Sequence, residues 1–86
     1  MQSSAIKFHY VYRLVSIPNP GRHYVGLTDD LEARLKRHNS RFVAHISKYT
    51  PWQIESAHAF RTREKAVEFE AYLKSHAGRE FARRHF

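Results

Sequence analysis

The chain has no cysteine. That absence removes disulfides, thiolate zinc sites and a cysteine nucleophile, and with them the disulfide-built secreted domain. Glycine and proline number three each. The glycines form no G-x-G-x-x-G, Walker or G-x-S-x-G pattern, so no dinucleotide fold, P-loop or serine-hydrolase elbow is expected. No apolar run approaches the ~18 residues that span a bilayer. The opening stretch, MQSSAIKFHYVYRL, lacks a basic segment followed by a long apolar one, so no signal peptide is expected and a soluble, cytoplasmic protein is the expectation. Repeats, low-complexity tracts and linkers are missing too. The 86 residues suffice for one domain and are too few for two, so 1–86 is read as a single unit. A chain of this size buries only about 60% of its unfolded surface, which leaves a small core.

Acids are also scarce. Fifteen Lys and Arg against eight Asp and Glu give a net charge of +7 and a pI near 10.2. A small basic domain attracts polyanions, and each phosphate it neutralises releases condensed counterions. A membrane surface fits less well, because no segment joins a basic face to a broad Trp/Phe/Leu face. The cations expected to meet nucleic acid, together with His45, form two groups. One is Arg34, Lys36, Arg37, Arg41, His45 and Lys48; the other is Lys74, Arg79, Arg83 and Arg84.

What is present has a readable order. FHYVYRLVSI, 8–17, is rich in aromatic and β-branched residues and reads as a strand. A loop with two prolines, an asparagine and a glycine follows, and HYVGL, 23–27, returns as the second strand of a hairpin. TDDLEARLKRHN, 28–39, opens as a helix, with Thr28 or Asp29 as cap and acids in its first turn. Residues 40–50 read as a loop with one helical turn, and 51–60 as a third strand. Thr62 caps a second helix through 63–77, Gly78 ends it, and 79–86 reads as a short terminal helix. The order ββαβαα predicts an α+β fold, a three-stranded antiparallel sheet with flanking helices.

Helical spacing separates inward polar residues from surface ones. Leu31 and Leu35 define the buried stripe of the first helix; His38 falls about 20° from Leu31 and Arg34 about 60° from it, while Glu32, Lys36 and Asn39 point to solvent. In the second helix Ala66, Phe69 and Leu73 form the stripe, with Glu70 about 60° from Leu73. Each inward residue has an ordinary structural reading: Arg34 snorkelling over the sheet, His38 as a core-edge histidine, Glu70 paired with Arg34. Taken together with Tyr12 and Tyr24 on neighbouring strands, they suit phosphodiester hydrolysis. That reaction needs water deprotonated, phosphoryl charge neutralised and the leaving oxygen stabilised. A carboxylate-held Mg²⁺ suits such a site, because Mg²⁺ keeps several waters and needs few protein ligands. The seven histidines, at 9, 23, 38, 45, 58, 76 and 85, have no HExxH or close zinc spacing, and most read as surface or packing residues.

These residues resemble the GIY-YIG nuclease family. YVY at 10–12 and YVG at 24–26 are similar to its two tyrosine triplets, with Tyr10 in place of the first glycine. Arg34 follows Tyr24 by ten residues and His38 follows four later, as in the family's helix, and AVEFEAYLK, 66–74, resembles its A-x-x-x-E-x-x-L-K segment. Lys48, Tyr49, Pro51 and Trp52, then Gly78, Arg79, Phe81 and Ala82, are similar to the KY-x-PW and GR-x-FA stretches of small standalone bacterial members. The resemblance implies a metal-dependent DNA endonuclease of repair, recombination or mobile elements. It implies Tyr12 as base or water-positioner, Tyr24 orienting water or phosphate, Arg34 on the phosphoryl oxygens, His38 assisting proton transfer and Glu70 holding Mg²⁺ or Mn²⁺. Many relatives carry a late asparagine after the glutamate, and this chain has none beyond Asn39. Larger members add a separate DNA-binding domain, so the resemblance implies substrate affinity that is either weak or dependent on a partner protein for targeting. The alternative is a nucleic-acid-binding module of the same fold without turnover.

Overall fold

The computed structural model describes residues 7–40 and 48–86. Three strands, β1 (His9–Ser16), β2 (His23–Thr28) and β3 (Trp52–Phe60), form one antiparallel sheet in the order β2-β1-β3. The helices among the described residues are α1 (Leu31–His38), α2 (Arg63–Lys74) and α3 (His76–His85). This is the expected ββαβαα order and the expected α+β class. Most of the stretch read as a loop with one helical turn, 40–50, lies outside the described residues, as do Arg41 and His45.

Strand β1 is central, and both of its faces are covered. Tyr12 and Leu14 pack with Trp52 on one face, against Leu31 and Leu35 of α1. Val11 packs on the other with Ala66 and Leu73 of α2, joined by Phe69, Phe81 and Phe86. The sheet is therefore sandwiched, which is why YVYRLV reads as a nearly continuous apolar run instead of alternating with polar residues. At the end of β1 the fully buried Ser16 donates from Oγ to the Tyr49 carbonyl at 2.6 Å and accepts from the Asn19 amide at 3.2 Å, which ties down the hairpin loop. Strand β3 carries an irregularity where Arg13 and Leu14 pair with Ser56 and Ile54. Glu55 is the extra residue there, and it ion-pairs with Arg13 and lies 3.6 Å from His23 Nε2. An extra residue of this kind is a β-bulge, which re-aims one side chain.

Helix ends depart from expectation in three places. Thr28 and Asp29 do not cap α1: Asp30 does, accepting from the Ala33 amide at 3.1 Å. Thr28 stays in β2, and its hydroxyl accepts from the Asp30 amide at 3.1 Å instead, forming the turn between strand and helix. Thr62 caps α2 as expected. Gly78 does not end that helix. Ser75 does, with an extended backbone and a hydroxyl that accepts from the Gly78 amide, so it terminates α2 and caps α3 at once. Gly78 lies inside α3, where a side chain would collide with the Tyr72 carbonyl; its smallness lets the two helices meet at a sharp corner. Asn39, expected to face solvent, is the C-cap of α1 and grips β3. Its Oδ1 accepts from the Trp52 amide at 2.7 Å and its Nδ2 donates to the Trp52 carbonyl at 3.1 Å. The helical wheel cannot see this bond, because its partner is on another element.

No described helix is long and apolar enough to cross a membrane.

Candidate active site

The hairpin register places Tyr12 opposite Gly26 and Tyr24 opposite Leu14. The two phenols are therefore diagonal neighbours on one face of the sheet, with rings stacked 6.3 Å apart. Gly26 explains the diagonal. The Tyr12 ring lies across it, and a methyl group at position 26 would stand 2.9 Å from Cε1 and closer still to Cζ and the hydroxyl. Glycine is needed here for close approach, not for its backbone freedom. Gly26→Ala is expected to destabilise the fold by about 1–3 kcal/mol, as overpacking does, and to swing Tyr12 out of place. Thermal melting and the near-UV signal of the tyrosines would measure both; an unchanged melting temperature would show that the ring does not need that space.

His38 is the last residue of α1, and the helix delivers it to the phenols. Its ring is buried, with the residue 6% exposed, and sits 4.5 Å from the Tyr24 ring and 5.9 Å from that of Tyr12. Its Nε2 is 3.0 Å from the hydroxyl of Tyr12, which is 2% exposed. Burial lowers the histidine's pKa, and the Arg34 and Arg37 charges lower it further. Burial likewise raises the pKa of Tyr12, opposed by a hydrogen bond from Arg34 and reinforced by Tyr24 and Glu70. At neutral pH the phenol therefore keeps its proton and the imidazole is neutral. In this state the phenol is the natural donor and Nε2 the acceptor.

At the open edge of β2 lies a cleft of about 430 Å³; neither Tyr12 nor His38 lines it, and it meets the pair through Gly26 and Tyr24, which touch the Tyr12 ring. Tyr24, Gly26, Arg34 and Glu70 line it, together with Arg63 and His9. Arg34 comes from α1 on one face of the sheet and Glu70 from α2 on the other, so the cleft wraps the edge strand. Arg34 reaches the Leu27 carbonyl at 3.5 Å. Among the described residues Glu70 forms no ion pair with Arg34; its partner is Lys74, one turn along at 3.2 Å. Sequence reasoning alone does not single out Arg63 or His9. For Arg63 a signal exists: it precedes Glu70 by seven residues, about 20° away on the helix, and so shares its face.

Glu70 is a suitable metal donor. Its carboxylate is 22% exposed, and among the described residues its ion pair is a helical one with a Lys74 side chain that is 56% exposed. Such pairs contribute about 0.5 kcal/mol or less, so a divalent ion would exchange with the lysine at little cost. Among the described residues no group of three or more His, Asp or Glu gathers. One carboxylate is a poor zinc site but is compatible with Mg²⁺ or Mn²⁺, which keep water in most positions.

Six of the expected nucleic-acid contacts divide between two surfaces. Arg34, Lys36 and Arg37 line a shallow hollow on α1 of about 520 Å³ that adjoins the cleft through Thr28, Asp29 and Arg34. Lys74, Arg79 and Arg83 line a groove of about 650 Å³ that adjoins it through Tyr24. Lys48 is exposed and lies over the Tyr49 ring, and Arg84 is exposed on α3 but lines none of these three spaces.

Comparison with known proteins agrees with this geometry. Residues 8–83 match the family model described as the GIY-YIG catalytic domain. The chain is similar to the structure-specific endonuclease subunit SLX1 of Candida dubliniensis, 36% identical over 74 residues, covering 78% of this chain and 26% of that protein. It is also similar to the same-named subunit of Meyerozyma guilliermondii, 35% identical over 74 residues, covering 79% and 25%. The chain thus spans about a quarter of the length of these curated relatives.

Proposed function

The chain belongs to the GIY-YIG family as a catalytic domain of the endonuclease type, and on that footing we propose that it hydrolyses DNA phosphodiester bonds with a divalent metal, Mg²⁺ or Mn²⁺. The observation that carries this reading is the buried Tyr12–His38 hydrogen bond beside a cleft lined by both Arg34 and Glu70. A scissile phosphate seated there meets the Arg34 guanidinium, which neutralises phosphoryl charge as the transition state forms. Tyr12 takes a proton from the attacking water while giving its own to His38 Nε2. A phenol with a raised pKa is a poor base by itself, and the neutral imidazole at 3.0 Å makes the transfer feasible. Tyr24, stacked beside Tyr12 and lining the cleft, orients the water or the phosphate. Glu70 would hold the metal, which when bound supplies Lewis-acid stabilisation of the phosphoryl and leaving oxygens.

In this reading residues 1–86 are one nuclease domain acting on branched or otherwise structured DNA in repair or recombination. The name of the relatives, a subunit of a structure-specific endonuclease, supports both the substrate class and a partner protein that targets it. The test is purified protein with branched, flap and single-stranded DNA, in Mg²⁺ or Mn²⁺ and with chelator. Cleavage with metal and none with chelator is expected. Salt-sensitive binding without cleavage in any metal would leave the binding module instead.

A further inference from the structure

Tyr24 lines the catalytic cleft and also the larger groove of about 650 Å³, which runs between the β1–β2 hairpin and helices α2 and α3. Arg13, Arg22, Lys74, Arg79 and Arg83 line this groove against a single acid, Glu80. Three of the cations are already matched: Arg13 by Glu55, Lys74 by Glu70 and Arg83 by Glu80. Arg22 and Arg79 have no carboxylate partner among the described residues. Arg22 lies 5.0 Å over the Tyr49 ring, and Arg79 donates to the Lys74 carbonyl at 3.1 Å. The Tyr24 ring and Val25, both partly exposed, supply the accessible apolar part of the wall, with the buried Leu73 and Ala82 packed behind it. In the sequence Lys74, Arg79 and Arg83 stand out as separate cations; the two hairpin arginines that complete the groove do not.

A groove with this mixture is not a general anion patch. Free phosphate has no use for an apolar wall, and duplex DNA presents its backbone outward with the bases stacked away. A single strand offers phosphates to the arginines and unstacked sugars and bases to the apolar wall. The groove also begins where the reaction site ends, at Tyr24. Resting on the nuclease reading of that site, we propose that this groove holds the single-stranded DNA that runs on from the scissile phosphate, with backbone phosphates on Arg22 and Arg79. The protein would then favour substrates with an unpaired arm beside the cut.

The test is binding of a labelled thymidine oligonucleotide and of a duplex of equal length, in chelator, so that hydrolysis plays no part. Arg22→Glu and Arg79→Glu are each expected to weaken oligonucleotide binding by about tenfold, the scale of removing one charge-assisted hydrogen bond. The salt dependence should become shallower by about 0.7 for each phosphate that is no longer neutralised. Lys65→Glu makes the same change in charge on an exposed part of α2 that lines none of the three spaces, and it should cost about twofold or less if only net charge is felt. Duplex binding should fall no more in the groove variants than in Lys65→Glu. Melting curves accompany each variant, and Arg22→Gln replaces Arg22→Glu as the deciding protein if charge reversal disturbs the fold. The proposal is overturned if the groove variants bind the oligonucleotide like Lys65→Glu, if duplex and single strand lose equally, or if the wild type binds no oligonucleotide. Single-strand discrimination in a protein that cleaves nothing would retain the groove and remove the nuclease; cleavage without discrimination would do the reverse.

Discussion

Tyr12→Phe is expected to fold, to bind DNA, and to cleave it about 10²-fold more slowly than the wild type or worse. The ring is unchanged, so its packing over Gly26 and beside Leu14 and Trp52 survives. What goes is the hydroxyl 3.0 Å from His38 Nε2, which leaves a buried ring nitrogen without its partner at a cost of about 1–3 kcal/mol. A modest drop in melting temperature with a large drop in rate is therefore the signature. The pH dependence supplies a second readout. His38 titrates below its ordinary 6.5 because burial, Arg34 and Arg37 disfavour its charged form. The unfolded chain therefore binds this proton first. His38's share of stability is present above about pH 6.5 and is lost as pH falls toward its lowered value. Tyr12 titrates above its ordinary 10.0, chiefly through burial. Its share is present below about pH 10 and is lost as pH rises through the raised value, a loss that Tyr12→Phe removes. Wild-type cleavage should persist through pH 6.5, where free imidazole is half protonated, and fall only below it. Normal cleavage by Tyr12→Phe would return the phenol to core packing.

How far the sequence discloses this site depends on which interactions are local. Helical period is local, so the positions of Arg34 and His38 beside the Leu31–Leu35 stripe, and of Glu70 beside Ala66 and Leu73, follow from counting residues. Strand identity is local too, and the hairpin signal pairs the segments bearing Tyr12 and Tyr24. The register is less so. That the phenols are diagonal, with Gly26 beneath the Tyr12 ring, depends on where six pairs of residues align across two strands. Asn39 and Gly78 mislead for the same reason from opposite directions. One looks like a solvent-facing polar residue and grips Trp52; the other looks like a helix breaker and is a contact point between helices. In both cases a partner distant in space decides the role. Arg22 is the furthest case. In sequence it is one cation in a turn, and only the packing of the hairpin against α2 and α3 gives it Arg79 as a neighbour across a groove.

Glu70→Gln should abolish metal-dependent cleavage while sparing the fold, and it separates the nuclease from the binding module more sharply than any other change. The amide keeps the shape of the carboxylate. The ion pair it removes, with Lys74, is exposed on the lysine side, so stability should move by about 0.5 kcal/mol or less. DNA binding without metal should hold or tighten, because the change takes a negative charge out of a cleft that carries Arg34 and Arg63, and it frees Lys74. The pKa of Tyr12 should fall, since the Glu70 charge is one of the influences holding it up, and a spectrophotometric titration of the tyrosines would register the change. A phenol that is easier to ionise and yet inactive would show that the carboxylate serves the metal and not the proton transfer. Affinity for Mn²⁺, followed by its effect on water relaxation, should decrease in step with activity. If instead Glu70 were a structural residue, melting temperature, binding and cleavage would decline together. Intact cleavage in Glu70→Gln would defeat the mechanism outright, since among the described residues that line the cleft no other carboxylate comes from α2, and Asp29, the remaining acid there, is paired with Lys7 at 3.5 Å.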